Sequence, residues 1–217
     1  MDKIIEISNL KFAYEDKVIL DNFNCEVFQG DFAALIGENG AGKSTLLKLL
    51  LGQLQADAGE IKLFGDDIRK NNHFDDIAYI SQNAVDSYKH FPTTIAEVLK
   101  IHLRYLKKRV NIDDYLMQVG LYEQRNLRLS KLSGGQLQRV GLLLALIKDS
   151  KLIILDEPTS NIDSKFTHEF FRSLGDLARD GKTILMVSHH LDDIHDFVDY
   201  LLKLEKGRCE RQSVWYS

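Results

Sequence analysis

The chain has 217 residues, 44% of them hydrophobic, which is enough for one large domain or for one domain with an inserted lobe. A formal net charge of −4 excludes the global basic field that draws a protein to nucleic acid or to an anionic membrane. Two cysteines, Cys25 and Cys209, match no metal-ligand or redox spacing and make a disulfide framework implausible, so both are expected reduced in a cytosolic protein.

In chain order, the N-terminus MDKIIEISNL holds no apolar stretch of signal-peptide length. Residues 4–10 alternate as a strand does, and residues 18–28 predict a second strand ending at Gly30. Residues 32–36 form a short apolar run that feeds directly into GENGAGKS, and a leucine-rich helix is expected over 45–51. Short strands are expected at 59–64 and 77–81. From about residue 86 the texture turns helical. Thr94-Ile95-Ala96-Glu97 is a capping box just behind Pro92, so a helix should start at Thr94. Further helices are predicted at 112–119 and from Gly134 to about Lys148. Strands return at 152–155, 183–187 and 200–204, with a helix near 164–180. The run Lys107-Lys108-Arg109 is expected to be a solvated helix end rather than a binding patch, and the longest apolar run, 140–147, is eight residues and too short to span a bilayer. Strands alternating with helices predict an α/β fold with a mostly parallel core sheet. Its expected partition is a core from 1–85 and 151–217 with an N-terminal antiparallel β portion, and an inserted α-helical lobe at 86–150.

Gly37-Glu38-Asn39-Gly40-Ala41-Gly42-Lys43-Ser44 fits G-x-x-x-x-G-K-[ST], with an apolar strand before it and a helix after it. Glycines let backbone N–H groups converge on phosphates, and the helix N-terminus adds partial positive charge. Lys43 can reach the β- and γ-phosphates, and Ser44 can ligate Mg²⁺. A P-loop needs a carboxylate on a neighbouring strand to hold that cation. Asp156 follows the buried run Leu152-Ile153-Ile154-Leu155, at the carboxyl end where ligands bind in open α/β sheets. Glu157 comes next. Two adjacent acids there are costly unless a cation or proton is shared, so Asp156 near Mg²⁺ and Glu157 polarising a water is a division of labour that relieves the cost.

A second glycine loop, Leu132-Ser133-Gly134-Gly135-Gln136, opens the long helix. Ser133 and Gln136 make a capping box, which does not explain two glycines that each cost about 1 kcal/mol relative to alanine in a helix interior. Bare backbone at a helix N-terminus suits close approach of a phosphate.

Over essentially its whole length the sequence resembles the ATP-binding cassette (ABC) ATPases, whose motifs occur in the family's order. GENGAGKS resembles Walker A, Tyr79-Ile80-Ser81-Gln82 the Q-loop, LSGGQ the signature, LIILDE Walker B with the catalytic glutamate, Ser160-Asn161-Ile162-Asp163 the D-loop, and Ser188-His189 the switch histidine. The resemblance implies that Tyr14 stacks on adenine, that residues from Gly37 through Ser44 with Thr45 bind the phosphates, and that Gln82 joins Ser44 and Asp156 around Mg²⁺. It implies catalytic roles for Glu157, Gln82 and His189. It also implies that Ser133, Gly134, Gly135, Gln136 and Asp163 complete the ATP site of a second copy in a head-to-tail dimer, two ATPs being sandwiched between the chains. Departures from the family pattern are His190 after the switch histidine, Asn161-Ile162 in the D-loop and Leu137 after the signature. None removes a catalytic group, so an active ATPase is expected.

With no membrane span and an end at Ser217, where some importer ATPases continue into a regulatory domain, the chain is expected to serve a separate permease as a cytoplasmic subunit, peripheral on the inner face of the membrane. The family contacts its permease between the Q-loop and the helical lobe, here Asn83 to Val98. His90-Phe91-Pro92-Thr93-Thr94-Ile95-Ala96-Glu97-Val98 resembles the same stretch in cassettes of bacterial zinc and manganese importers, which capture metal with an extracytoplasmic binding protein. Alternatives are transport of another solute, export, and a non-transport ABC ATPase in DNA repair or translation. Against repair, about fifty residues without sustained heptads separate Gln82 from Leu132. Against translation, there is one cassette. Glu157, Gln82 and His189 argue against a regulator that no longer hydrolyses ATP, and no nucleic-acid partner is expected.

Overall fold

A computed structural model describes residues 2–81, 87, 90, 92–158, 164–188 and 194–214, with the backbone alone at 164–166. Gln82, His189, the D-loop with Asp163, Phe91 and most of the 83–91 stretch lie outside the described residues.

The chain opens with a long antiparallel hairpin, β1 (Lys3–Tyr14) and β2 (Lys17–Phe28). β1 runs four residues past the expected end at Leu10. Asn9 takes a left-handed φ of 51° and the register shifts there, so an extra residue breaks the period of two that marks a strand in sequence. β4 (Ala58–Leu63) and the two-residue β5 (Asp66–Asp67) complete a four-stranded antiparallel sheet in the order β2-β1-β4-β5.

The second sheet carries the site. β3 (Phe32–Ile36) lies between β9 (Tyr200–Glu205) and β8 (Thr183–Val187), which is followed outward by β7 (Leu152–Asp156) and β6 (Ile77–Ser81) at the edge. These five strands are parallel, and β10 (Arg208–Ser213) adds an antiparallel strand at the far edge. β3 and β8 are buried at every residue, as a parallel sheet covered on both faces requires. Phe32, Ala34 and Ile36 join the core on one face of the sheet, while Ala33 and Leu35 join the core on the other, shared with α1 (Lys43–Leu50) and the antiparallel sheet.

Between β6 and β7 the chain forms α2 (Ile95–Tyr105), α3 (Ile112–Gln118) and α4 (Gly134–Lys148). The capping box at Thr94 is present: its Oγ1 accepts from Glu97 N at 3.3 Å while Thr94 N donates to Glu97 Oε2 at 2.8 Å. Leu137, Val140, Leu142, Leu143 and Ile147 of α4 are buried against the sheet, each worth about 1.5–3 kcal/mol of transfer free energy. α5 (Ser164–Arg179) covers the same face through Phe170, Phe171 and Leu174. Cys25 and Cys209 are free and meet across the seam between β2 and β10; that contact, then burial, pushes the Cys25 thiol well up. No helix among the described residues is long and apolar enough to cross a membrane.

Candidate nucleotide site

β3 is short and wholly apolar, so it ends where the glycines begin, and the loop from Gly37 sits at the carboxyl edge of the parallel sheet. A Cβ on Gly37 would lie 2.5 Å from the Leu204 carbonyl oxygen of β9. Gly42 caps α1 at a left-handed φ of 110°, with Ile19 of β2 only 2.7 Å from where its Cβ would be. Both positions demand glycine, for space at Gly37 and for space and backbone at Gly42. α1 has no side-chain cap, so the first-turn N–H groups of Lys43, Ser44 and Thr45 have no acceptor within the helix. Lys43 is buried and its Nζ donates to the Gly37 carbonyl at 2.6 Å and the Glu38 carbonyl at 3.1 Å, arching over its own loop. Ala41 N donates to Glu38 O at 3.1 Å and closes the loop's turn at Asn39 and Gly40.

The sheet brings the acid pair to the same place. Asp156 ends β7, in register with Ser81 of β6 on one side and Val187 of β8 on the other. Burial pushes the Asp156 carboxyl up, and the Glu157 charge adds to the push; a hydrogen bond from Tyr79 and the charge of Lys43 oppose it. Tyr79 Oη donates to Asp156 Oδ2 at 3.1 Å, and its own pKa is pushed up to about 12, by burial first and then by that carboxylate. Glu157 stands at a left-handed φ of 49°, held by its N–H donating to Val187 O at 3.0 Å. A left-handed non-glycine residue is uncommon and costly, and such residues gather at functional sites. Ser44, Lys48, Tyr79, Ser81, Asp156 and Glu157 line one cleft of about 350 Å³ between α1 and the strand ends.

Tyr14 ends β1, 44% exposed, edge-on to Phe12 at 4.9 Å between ring centroids. Its hairpin leads directly into the stretch of β2 whose Ile19 abuts Gly42, so the exposed ring belongs to the element next to the P-loop. The second glycine loop lies at the start of α4. Ser133 N donates to Gln136 Oε1 at 2.9 Å and Ser133 Oγ accepts from Gln136 N at 3.3 Å, the expected capping box. That box leaves the N–H groups of Gly134 and Gly135 without an intrahelical acceptor. Ser133 is exposed.

Sequence motifs did not single out Tyr79 as a partner of Asp156, nor a second groove of about 500 Å³ lined by Phe74, Tyr79, His102, Leu144 and Lys148. Phe74 is 74% exposed, and Lys148 Nζ lies over its ring while donating to the Phe74 and Ile77 carbonyls. The one sequence signal for this groove was an aromatic stranded in the polar run Asn71-Asn72-His73-Phe74-Asp75-Asp76.

A glycine loop opening a helix at the carboxyl edge of a parallel sheet, with an acid pair ending β7, one strand removed from β3 across β8 rather than next to it as expected, defines a P-loop nucleotide-binding protein. Residues 20–160 match the family described as ABC transporter, and the chain belongs to that family. It is 36% identical over 216 residues to the zinc uptake system ATP-binding protein ZurA of Listeria innocua, covering 95% of this chain and 84% of that protein. It is 32% identical over 209 residues to the manganese transport system ATP-binding protein MntB of Bacillus subtilis, covering 92% and 82%. The fold matches the crystal structure of a nucleotide-free ATP-binding cassette from an ABC transporter at a TM-score of 0.83 and 26% identity, over 97% of this chain and 92% of that one. The protein is an ATP-binding, ATP-hydrolysing subunit of an ABC transporter.

Proposed function

We propose that this ATPase powers import of a divalent transition metal, zinc or manganese, through a separate membrane permease. The observation that carries the reading is the similarity to zinc and manganese transport ATP-binding proteins over more than nine-tenths of the chain. The stretch from His90 to Val98 is consistent with it. The permease would receive metal from an extracytoplasmic binding protein, and the ATPase would sit on the inner face of the membrane.

In the proposed mechanism the P-loop N–H groups and those of Lys43, Ser44 and Thr45 bind the phosphates, and Lys43 exchanges its two carbonyl acceptors for phosphate oxygens. The donor set fits Mg²⁺: a carboxyl raised by burial, a second acid beside it and the Ser44 hydroxyl all line one cleft. Ser44, Asp156 and Gln82 would hold the ion, which when bound neutralises charge on the β- and γ-phosphate oxygens. Glu157 would orient and polarise the attacking water, with Gln82 and His189 beside the γ-phosphate. Tyr14 would stack on adenine. Ser133, Gly134, Gly135, Gln136 and Asp163 would close the site of a second copy, so that hydrolysis releases a head-to-tail pair. Residues 1–85 and 151–217 serve as the core in this scheme, and 86–150 as the lobe that carries the signature.

The permease would dock a cytoplasmic helix along residues 83–98. The groove lined by Phe74, His102 and Leu144 lies beside α2, which begins in that segment, and offers an apolar seat. Cells lacking this protein should hold less zinc or manganese in metal-poor medium and regain growth when the metal is added. Unchanged metal content, with growth restored by a sugar, peptide or amino acid, would leave the ABC assignment standing and overturn the metal.

A further inference from the structure

Tyr79 belongs to none of the motifs' chemical positions, yet it touches the acid pair. Its partner across the ladder is Ile154, two residues before Asp156, while Ser81 lies opposite Asp156 itself. In parallel strands paired residues share a face, so Tyr79, Ser81 and Asp156 all project toward α1. β6 is the outer strand of its sheet, which leaves the Tyr79 ring 38% exposed at the open edge. From there its hydroxyl reaches inward to Asp156 Oδ2 at 3.1 Å. A carboxylate at the end of a strand has two oxygens and a free torsion. A donor committed to Oδ2 fixes that torsion and leaves Oδ1 for the cleft that Ser44 and Glu157 also line.

We propose that Tyr79 is a positioning residue for the ATPase reaction, its phenol holding Asp156 in the orientation that accepts the nucleotide's cation. This rests on the reading of Asp156 as a ligand of that cation. Groups that hydrogen-bond to metal ligands set ligand orientation, and their loss costs about 10–100-fold in metal affinity or activity. Tyr79 touches no reacting atom, so its loss should act on the cation and spare the phosphate cradle of α1.

The test uses the full chain with ATP and Mn²⁺, a paramagnetic substitute for Mg²⁺ whose binding is read by electron paramagnetic resonance. Tyr79→Phe keeps the ring and removes only the hydroxyl; the exposed edge position makes it benign for folding. The Mn²⁺ dissociation constant of its ATP complex should rise roughly tenfold, with a changed Mn²⁺ signal. Binding of a fluorescent ATP analogue in chelator should match wild type, which a general disturbance of the site would not allow. Asp156→Asn is the control and should lose more Mn²⁺ affinity than Tyr79→Phe. Wild-type Mn²⁺ binding by Tyr79→Phe, with binding lost in Asp156→Asn, would overturn the role of Tyr79 and leave the cation reading intact. Wild-type Mn²⁺ binding by both variants would overturn the cation reading itself. Loss of metal-free nucleotide binding by Tyr79→Phe would reduce Tyr79 to a packing residue.

Discussion

His102 lines the groove beside α2 with its Nε2 buried and without a hydrogen-bond partner. Burial pushes the imidazole below its ordinary value of 6.5, and the charges of Lys148 and Lys108 add to the push, while a bond to the Leu144 backbone opposes it. In the unfolded chain the ring protonates first as pH falls, so between the unfolded and folded values the unfolded state binds more protons. The stability of the neutral ring is therefore complete above 6.5 and is lost as pH drops from there toward the lowered folded value. His102→Leu removes this dependence and suits the apolar wall of Leu144 and Ala145. Thermal melts at about pH 8 and about pH 5 should show the variant gaining on wild type at the acid end. A gap between the two proteins that does not change with pH would show that the ring is not held neutral by its surroundings.

Elements legible in the sequence are those whose chemistry is local. The capping boxes at Thr94 and Ser133, the apolar run into the P-loop and the two acids closing β7 each declare themselves within a few residues. β10 does not: Arg208–Ser213 is polar apart from Cys209 and is a strand because β9 offers it a complete ladder. The Tyr79–Asp156 bond and the pressure of Leu204 on Gly37 follow from the strand order β10-β9-β3-β8-β7-β6, which no periodicity encodes. That order makes the first P-loop glycine a packing residue between two strands as well as a turn residue. Gly37→Ala would place a methyl 2.5 Å from a backbone oxygen that β9 cannot move without disturbing its pairing with β3. The expected cost is about 1–3 kcal/mol in urea unfolding, accompanied by weaker ATP binding as the loop shifts. An unchanged urea midpoint and an unchanged ATP affinity would mean that the edge relaxes freely.

At the scale of the whole molecule, two of the described helix N-termini, the one at the P-loop and the one at the signature loop, offer bare backbone donors. α1 has no side-chain cap at all, and the box at α4 satisfies Gln136 N but not the N–H groups of Gly134 and Gly135. A γ-phosphate held by α1 of one chain and covered by α4 of another would use both sets of donors, which is the arithmetic of the proposed sandwich. Glu157→Gln tests it because the backbone bond to Val187 and the left-handed turn remain while the carboxylate goes. Turnover should fall by about 10²–10³ or more with ATP still bound, so that the closed pair accumulates. Sedimentation of that variant should then move from monomer to dimer on adding ATP. Adding Ser133→Arg, which fills the exposed face of the signature loop without touching the P-loop, should return it to monomer with nucleotide binding intact. A double variant that still dimerises would place the contact elsewhere than the signature loop. A Glu157→Gln chain that stays monomeric at saturating ATP would mean that the two copies do not close on each other unaided, and that the permease must hold them together.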